Sequence, residues 1–352
     1  MKNKLKLLVF FSFAFFFAGI SQIKYSNEFM KIGAGAHALS LSKSVVAGTA
    51  NASSIYWNPA SLVEMSSDEL EFMHASYFSG IANFDQISYV SKLSNGDAFG
   101  LMLLRFGIDD IMNTLDLLDD QGNVDYDRIT LFSSADYAFF LSYARDNIYK
   151  GLSVGSNVKI IYRKIGSFAY AWGFGFDLSA QQRVNEWIFG CIVRDITSTF
   201  NTWSFNLEDL EESYLLTDND LPENSSLEVT LPSIQSGASR LFRVNDKFSL
   251  RSELDIHLYF DGKRNVLFGN DFLSLNPSFG TELKYRNLID FRFGLGGFRK
   301  EYNFNNTQYV AFQPSLGTGI HFDNLFIDYA ITNLLLEFNG SYSNIFSFRY
   351  TF

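Results

Sequence analysis

Residues 248–260 read FSLRSELDIHLYF, and their pattern decides the fold. Phe248, Leu250, Leu254, Ile256, Leu258 and Phe260 fall on one face, while Ser249, Arg251, Glu253, Asp255 and His257 fall on the other. Period two sustained over this length is a strand with one oily and one wet side. The pattern recurs. Leu152, Val154, Val158, Ile160 and Tyr162 oppose Ser153, Asn157, Lys159 and Arg163; Trp172, Phe174, Phe176 and Leu178 oppose Gly173, Gly175, Asp177 and Ser179; Ile289, Phe291, Phe293 and Leu295 oppose Asp290, Arg292, Gly294 and Gly296. Marking every such run predicts fourteen strands, near 69–79, 84–93, 97–107, 134–145, 151–163, 169–182, 187–197, 232–242, 247–260, 277–286, 289–299, 309–322, 325–334 and 341–352.

The connections point the same way. Every second one is short: Ser94-Asn95-Gly96, Asp146-Asn147, Val184-Asn185, Val244-Asn245-Asp246, Asn287 and Asp323-Asn324. Asn, Asp and Gly tolerate the left-handed backbone of tight hairpins. The intervening connections include long ones near 108–133, 198–231, 261–276 and 300–308. Short turns alternating with long loops, with an even strand number, is the pattern of an outer-membrane barrel. The expectation is therefore all-β: a 14-stranded antiparallel transmembrane β-barrel. In the last strand Tyr342, Phe346, Phe348, Tyr350 and Phe352 share a face opposite Ser341, Ser343, Ser347, Arg349 and Thr351. An amphipathic strand of this kind resembles the signal read by the outer-membrane barrel-assembly machinery.

At the other end, Lys2, Lys4 and Lys6 precede an apolar run from Leu7 to Ile20, with Gly19-Ile20-Ser21 at its close. This reads as a signal peptide over 1–21, because the run is shorter than the roughly 20 residues of a bilayer helix. The chain carries 28 basic and 38 acidic residues, a net charge of −10; without the three lysines it falls to −13. An apolar fraction of 47% with 38 Phe excludes a disordered chain, and the acidic balance argues against nucleic acid as a partner. One cysteine, Cys191, rules out a disulfide framework, and His37, His74, His257 and His321 lack metal-ligand spacing. No cofactor, metal or catalytic residue is expected. His257 and His321 fall on inward faces, but no nucleophile elbow or fixed acid accompanies them, so the protein is read as a non-enzyme.

Residues 22–68 do not alternate. They hold Gly33-Ala34-Gly35-Ala36, a small-residue stretch from Ser40 to Ser54, and Ile55-Tyr56-Trp57-Asn58-Pro59-Ala60-Ser61-Leu62. A fourteen-strand lumen is wider than wall side chains alone fill, so this segment is expected to be a hatch or plug. Inward glycines, Gly173, Gly175, Gly294, Gly296, Gly317 and Gly319, would leave it room.

Phe29 to Leu39, Val45-Val46-Ala47 and Tyr56 to Leu62 resemble the hatch of the PorV/PorQ-type barrels of the type IX secretion system, within the wider FadL-like barrels; Tyr126 to Ala138 and Leu141 to Arg145 are also similar to PorV-type sequence. The resemblance implies hatch roles for Gly33, Gly35, Tyr56, Trp57, Asn58, Pro59 and Ala60. It also implies an adaptor or shuttle in the cell outer membrane of a Gram-negative bacterium. Its partners would be the secretion translocon barrel, secreted proteins with C-terminal sorting domains and the surface-attachment machinery. The family commonly has Arg where His37 stands, a Met-Gly pair near Leu41-Ser42 and an Asp near Ala50-Asn51, so the resemblance does not carry over any hatch ion pair that this Arg and Asp would make. The alternative reading is a FadL-like channel for uptake of hydrophobic small molecules.

Fifteen of the 38 acids lie in two outer loops. One carries Asp109, Asp110, Asp116, Asp119, Asp120, Asp125 and Asp127; the other, near 198–231, carries eight acids between Glu208 and Glu228 together with Trp203, Phe205 and Tyr214. Asp119, Asp120, Asp125, Trp203, Phe205 and Tyr214 are the expected partner contacts, with membrane lipid and lipopolysaccharide as surroundings.

Overall fold

A computed structural model describes residues 26–115, 117–118, 121–206, 225–332 and 342–352. The signal peptide expected over 1–21, Asp119, Asp120 and Tyr214 lie outside them.

The strands are β1 (Glu69–Tyr77), β2 (Ala82–Lys92), β3 (Ala98–Asn113), β4 (Thr130–Tyr149), β5 (Leu152–Ile165), β6 (Ala169–Val184), β7 (Trp187–Arg194 continued by Thr199–Phe205) and β8 (Ser225–Thr230 continued by Ser233–Arg243). They continue as β9 (Phe248–Tyr259), β10 (Ser274–Tyr285), β11 (Ile289–Tyr302), β12 (Gln308–Phe322), β13 (Leu325–Thr332) and β14 (Ser343–Thr351). Each pairs antiparallel with its neighbour in the chain, and β1 pairs with β14 in register Glu69↔Thr351 to Ser76↔Asn344, which closes a 14-stranded barrel. A two-residue strand, Phe268–Gly269, adds to β10 inside the β9–β10 loop. β1 and β14 each have nine residues, within the roughly 9–11 that a tilted strand needs to cross a bilayer, and β4, with 20, projects well beyond it.

The outward face is apolar and exposed: Phe72, Trp172, Phe174, Leu254, Phe291, Phe346 and Phe348 all stand on it. Their inward neighbours are polar and buried, among them Glu71, Asn157, Asp177, Glu253, Asp255, Arg292 and Ser347. The period-two reading thus assigns faces correctly along β5, β6, β9, β11 and β14. The turn chemistry holds at four of the expected turns, where Gly96, Asn185, Asn287 and Asp323 take positive φ.

Three boundaries depart from expectation. The long connection expected over 108–133 is shorter, because β3 runs on to Asn113 past a bulge between Ile108 and Ile111, where Asp110 adopts φ 57°, and β4 begins at Thr130. The β4–β5 turn falls at Lys150-Gly151; Asn147 sits in a bulge between Arg145 and Tyr149. Within the connection expected over 198–231, Thr199–Phe205 and Ser225–Thr230 are strand and extend β7 and β8 as a paired ribbon. Asp195 and Ser198 at positive φ interrupt β7, and Leu231-Pro232 interrupts β8. The interruption in β7 remains bonded: Ile196 N–H donates to Phe176 O at 2.9 Å and Asp195 N–H to Asp177 Oδ1 at 2.9 Å. Lys159 bridges Asp177 and Asp195 at 2.8 and 2.5 Å, so a buried cation holds the bulge together.

Candidate functional site

Residues 26–68 fill the lumen with short pieces: a 3₁₀ turn at Glu28–Ile32, α1 (Ala36–Ser40), α2 (Ser54–Trp57) and a second 3₁₀ turn at Pro59–Glu64. The expected hatch residues come together in its centre and explain one another. Gly33 and Gly35 take φ 95° and 81°, and a Cβ on Gly33 would lie 2.7 Å from the Trp57 ring. The Trp57 indole N–H donates to Ala34 O at 2.7 Å and the Tyr56 hydroxyl to Met30 O at 2.6 Å, so these two side chains pin the glycine-rich segment. Asn58 caps the second 3₁₀ turn, its Oδ1 accepting from Ala60 N–H at 3.1 Å, and Pro59 occupies the first position, where no N–H is needed. The Asn58 amide also donates to Val46 O at 2.6 Å. Each member of the Tyr56–Ala60 motif has a packing role.

The wall grips this hatch chiefly by its backbone. Asp255 Oδ2 accepts from Val45 N–H and Val46 N–H at 3.0 and 3.1 Å, while Glu253 accepts from Ala47 N–H and Gly48 N–H at 2.6 and 2.9 Å. Glu69 accepts from Ala52 N–H at 2.6 Å, Ser179 from Ala60 N–H at 2.9 Å and Ser347 from Ala36 N–H at 2.8 Å. Where the acceptor is an ionised carboxylate, such a bond is roughly twice as strong as a neutral one, whereas Ser179 and Ser347 accept as neutral hydroxyls. Sequence reading placed Glu253 and Asp255 on the wet face without giving them a role.

Wall glycines complete the seat. A Cβ on Gly294 would strike the backbone of Leu41 and Ser42, one on Gly317 the Ser40 side chain, and one on Gly296 would crowd Ser42 at 3.2 Å. Gly173, Gly175 and Gly319 differ: their nearest neighbours are wall residues such as Asn201, Thr199 and Arg292, so they relieve crowding within the sheet. Gly155 and Gly190, which the alternation left unremarked, face hatch backbone at Pro59-Ala60 and at Val46-Ala47.

A charged cluster ties α1 to the opposite wall. Arg292 donates to Glu282, Asp328 and Asp290 at 2.8, 2.7 and 2.7 Å, and Arg349 pairs with Asp328 at 3.0 Å. His37 joins it through Glu282 at 2.8 Å. His37 thus makes a hydrogen bond to the wall from the position where the resembled family has Arg. Burial, reinforced by the Arg292 charge, holds the His37 pKa below its ordinary value.

The hatch divides the lumen into two vestibules. The outer one, a cavity of about 350 Å³, is lined by Lys31, Lys43, Tyr56, Trp57, Arg194 and Tyr259 among others. Burial pushes Lys43 down to about 8 there. The other, at the end with the short turns and about 460 Å³, lies against Gly48–Asn51, Arg251, Lys284, His321 and Arg349. His257 lines the first and His321 the second, so the inward histidines are not brought together.

The expected partner contacts fare differently. Asp125 is exposed, capping the Tyr126–Arg128 turn and pairing with Arg128 at 3.4 Å. Trp203 and Phe205 are strand residues of β7. Trp203 is buried against Ala169 and Ala171 with Phe205 packed beside it, which removes Trp203 as an exposed loop contact.

Residues 19–176 match the model of an Uncharacterised protein family (UPF0164). A search of curated proteins finds no match. Among solved structures, the chain is similar to the Pseudomonas putida toluene transporter TodX at 12% identity and TM-score 0.56, covering 91% of this chain and 99% of that one. It is also similar to the Ralstonia pickettii toluene transporter TbuX at 12% identity and TM-score 0.52, covering 91% and 98%. A Pseudomonas aeruginosa FadL homologue follows at 12% identity and TM-score 0.50, covering 90% and 97%. In fold, the chain is similar to these barrels: a closed 14-stranded antiparallel β-barrel around an N-terminal hatch.

Proposed function

We propose that the protein is an outer-membrane channel that admits hydrophobic small molecules past the hatch. The observation that carries this reading is a hatch held by reversible hydrogen bonds between an outer and a periplasmic vestibule. The fold shared with two toluene transporters supports it, and the belt of exposed aromatic side chains supports a place in lipid. The protein is read as acting by binding and passage, with no covalent step. Uptake of radiolabelled toluene into proteoliposomes tests it. Entry should saturate and exceed that into protein-free vesicles; equal entry would overturn the proposal.

A second reading, the type IX adaptor, is supported by the PorV/PorQ-like stretch from Phe29 to Leu62. It would engage the translocon barrel, sorting-domain cargo and surface-attachment machinery through the outer loops. Co-purification of such proteins with the full chain, lost on deletion of residues 207–224, is its expected outcome.

A further inference from the structure

The outer vestibule is more cationic than passage of neutral hydrocarbons requires. In a chain of net charge −10, its lining holds Lys31, Lys43, Lys159 and Arg194 against one carboxylate, Asp195. Three of these cations are engaged. Lys31 pairs with Glu28 at 2.7 Å, Lys159 with Asp177 and Asp195, and Lys43 donates to Lys31 O at 2.7 Å.

Arg194 is held differently. It is only 9% exposed, its Nη2 has no hydrogen-bond partner, and its guanidinium lies 4.2 Å from the Tyr56 ring centroid and 5.9 Å from that of Trp57. Aromatic faces offset part of the cost of desolvating a guanidinium, but they do not satisfy its N–H donors. An acceptor arriving from the cavity would. A guanidinium fork matches a planar two-oxygen anion, and the surrounding Tyr56, Trp57, Phe140 and Tyr259 match a flat apolar body. A volume of about 350 Å³ is near the lower end of ligand pockets, which restricts the body to a small one.

We infer that the outer vestibule binds a small aromatic carboxylate, its carboxylate on Arg194 and its ring against the aromatic residues of the hatch. The inference rests on the channel reading and sets aromatic acids above neutral hydrocarbons within its substrate class.

Titration of the folded full-length barrel with benzoate, toluene, acetate and inorganic phosphate, followed by calorimetry, tests it. Benzoate should bind saturably and at least tenfold tighter than the other three. Arg194→Met should weaken benzoate at least tenfold, with Arg194→Lys intermediate. Toluene binding as tightly as benzoate, acetate or phosphate competing as well as benzoate, or benzoate affinity unchanged in Arg194→Met would each overturn the inference. The wild-type selectivity series decides even if the variants do not fold. Toluene uptake without benzoate binding sinks this inference and leaves the channel; Arg194-dependent benzoate binding without uptake of either compound leaves the site and sinks the channel.

Discussion

Replacing Asp255 or Glu253 by Ala should unseat the middle of the hatch while leaving the barrel intact. Asp255→Ala orphans the buried N–H groups of Val45 and Val46, and Glu253→Ala those of Ala47 and Gly48. A buried donor left without an acceptor costs about 1–3 kcal/mol, so either change penalises the seated segment by roughly 2–6 kcal/mol. The segment escapes that penalty by moving into water. Because 1.4 kcal/mol is about tenfold in an equilibrium, the lower bound corresponds to roughly 30-fold faster amide exchange by the open state. The two changes act on one segment, so the double variant should fall short of their sum. Hydrogen exchange read at residues 45–48 is the assay, with heat-modifiable electrophoretic mobility reporting the barrel. Exchange within threefold of wild type in both single variants, with the barrel folded, would refute backbone capture as the means of seating.

Three further outcomes follow from the same geometry. His37 is held below its ordinary pKa in the seated hatch, so the unseated state binds the extra proton; seating is full above about pH 6.5 and weakens as pH falls below it. Exchange of residues 36–40, corrected for intrinsic rate, should rise between pH 7 and 5 and lose that dependence in His37→Gln. Gly155→Val drives a side chain into the Pro59-Ala60 backbone, which cannot rotate aside; overpacking of about 1–3 kcal/mol should raise exchange at 60–64, and unchanged exchange would contradict the fit. Brominated lipid should quench Trp172 and Trp187, which face outward, and spare Trp57 and Trp203; Trp172→Phe combined with Trp187→Phe should abolish the quenching.

The wall was legible because its signals are local. Alternation around Phe248–Phe260 and Asn or Gly at the turns depend only on a residue and its neighbours. The extended β7–β8 ribbon was hidden by chain features that mimic loop: Asp195–Ser198 breaks the alternation, and Leu231-Pro232 interrupts β8. Of the hatch, the Tyr56–Ala60 motif could be located, since its residue types are unusual together. Its seat could not be read, because the acceptors of Val45–Gly48 lie about two hundred residues further along β9 and recognise amide groups that every residue but proline possesses. Arg194 was missed for a related reason: its value lies in lacking a partner, which spacing does not reveal.

The seam between β1 and β14 also links the wall to its contents. The hatch leads directly into β1, and its bonds reach β1, β6, β9 and β14, which lie all around the circumference. A segment gripped from all sides cannot be inserted sideways into a finished cylinder. Its bonds to β1, β6, β9 and β14 can all be made together only when those strands stand around it, so pairing of the seam and full seating of the hatch support each other.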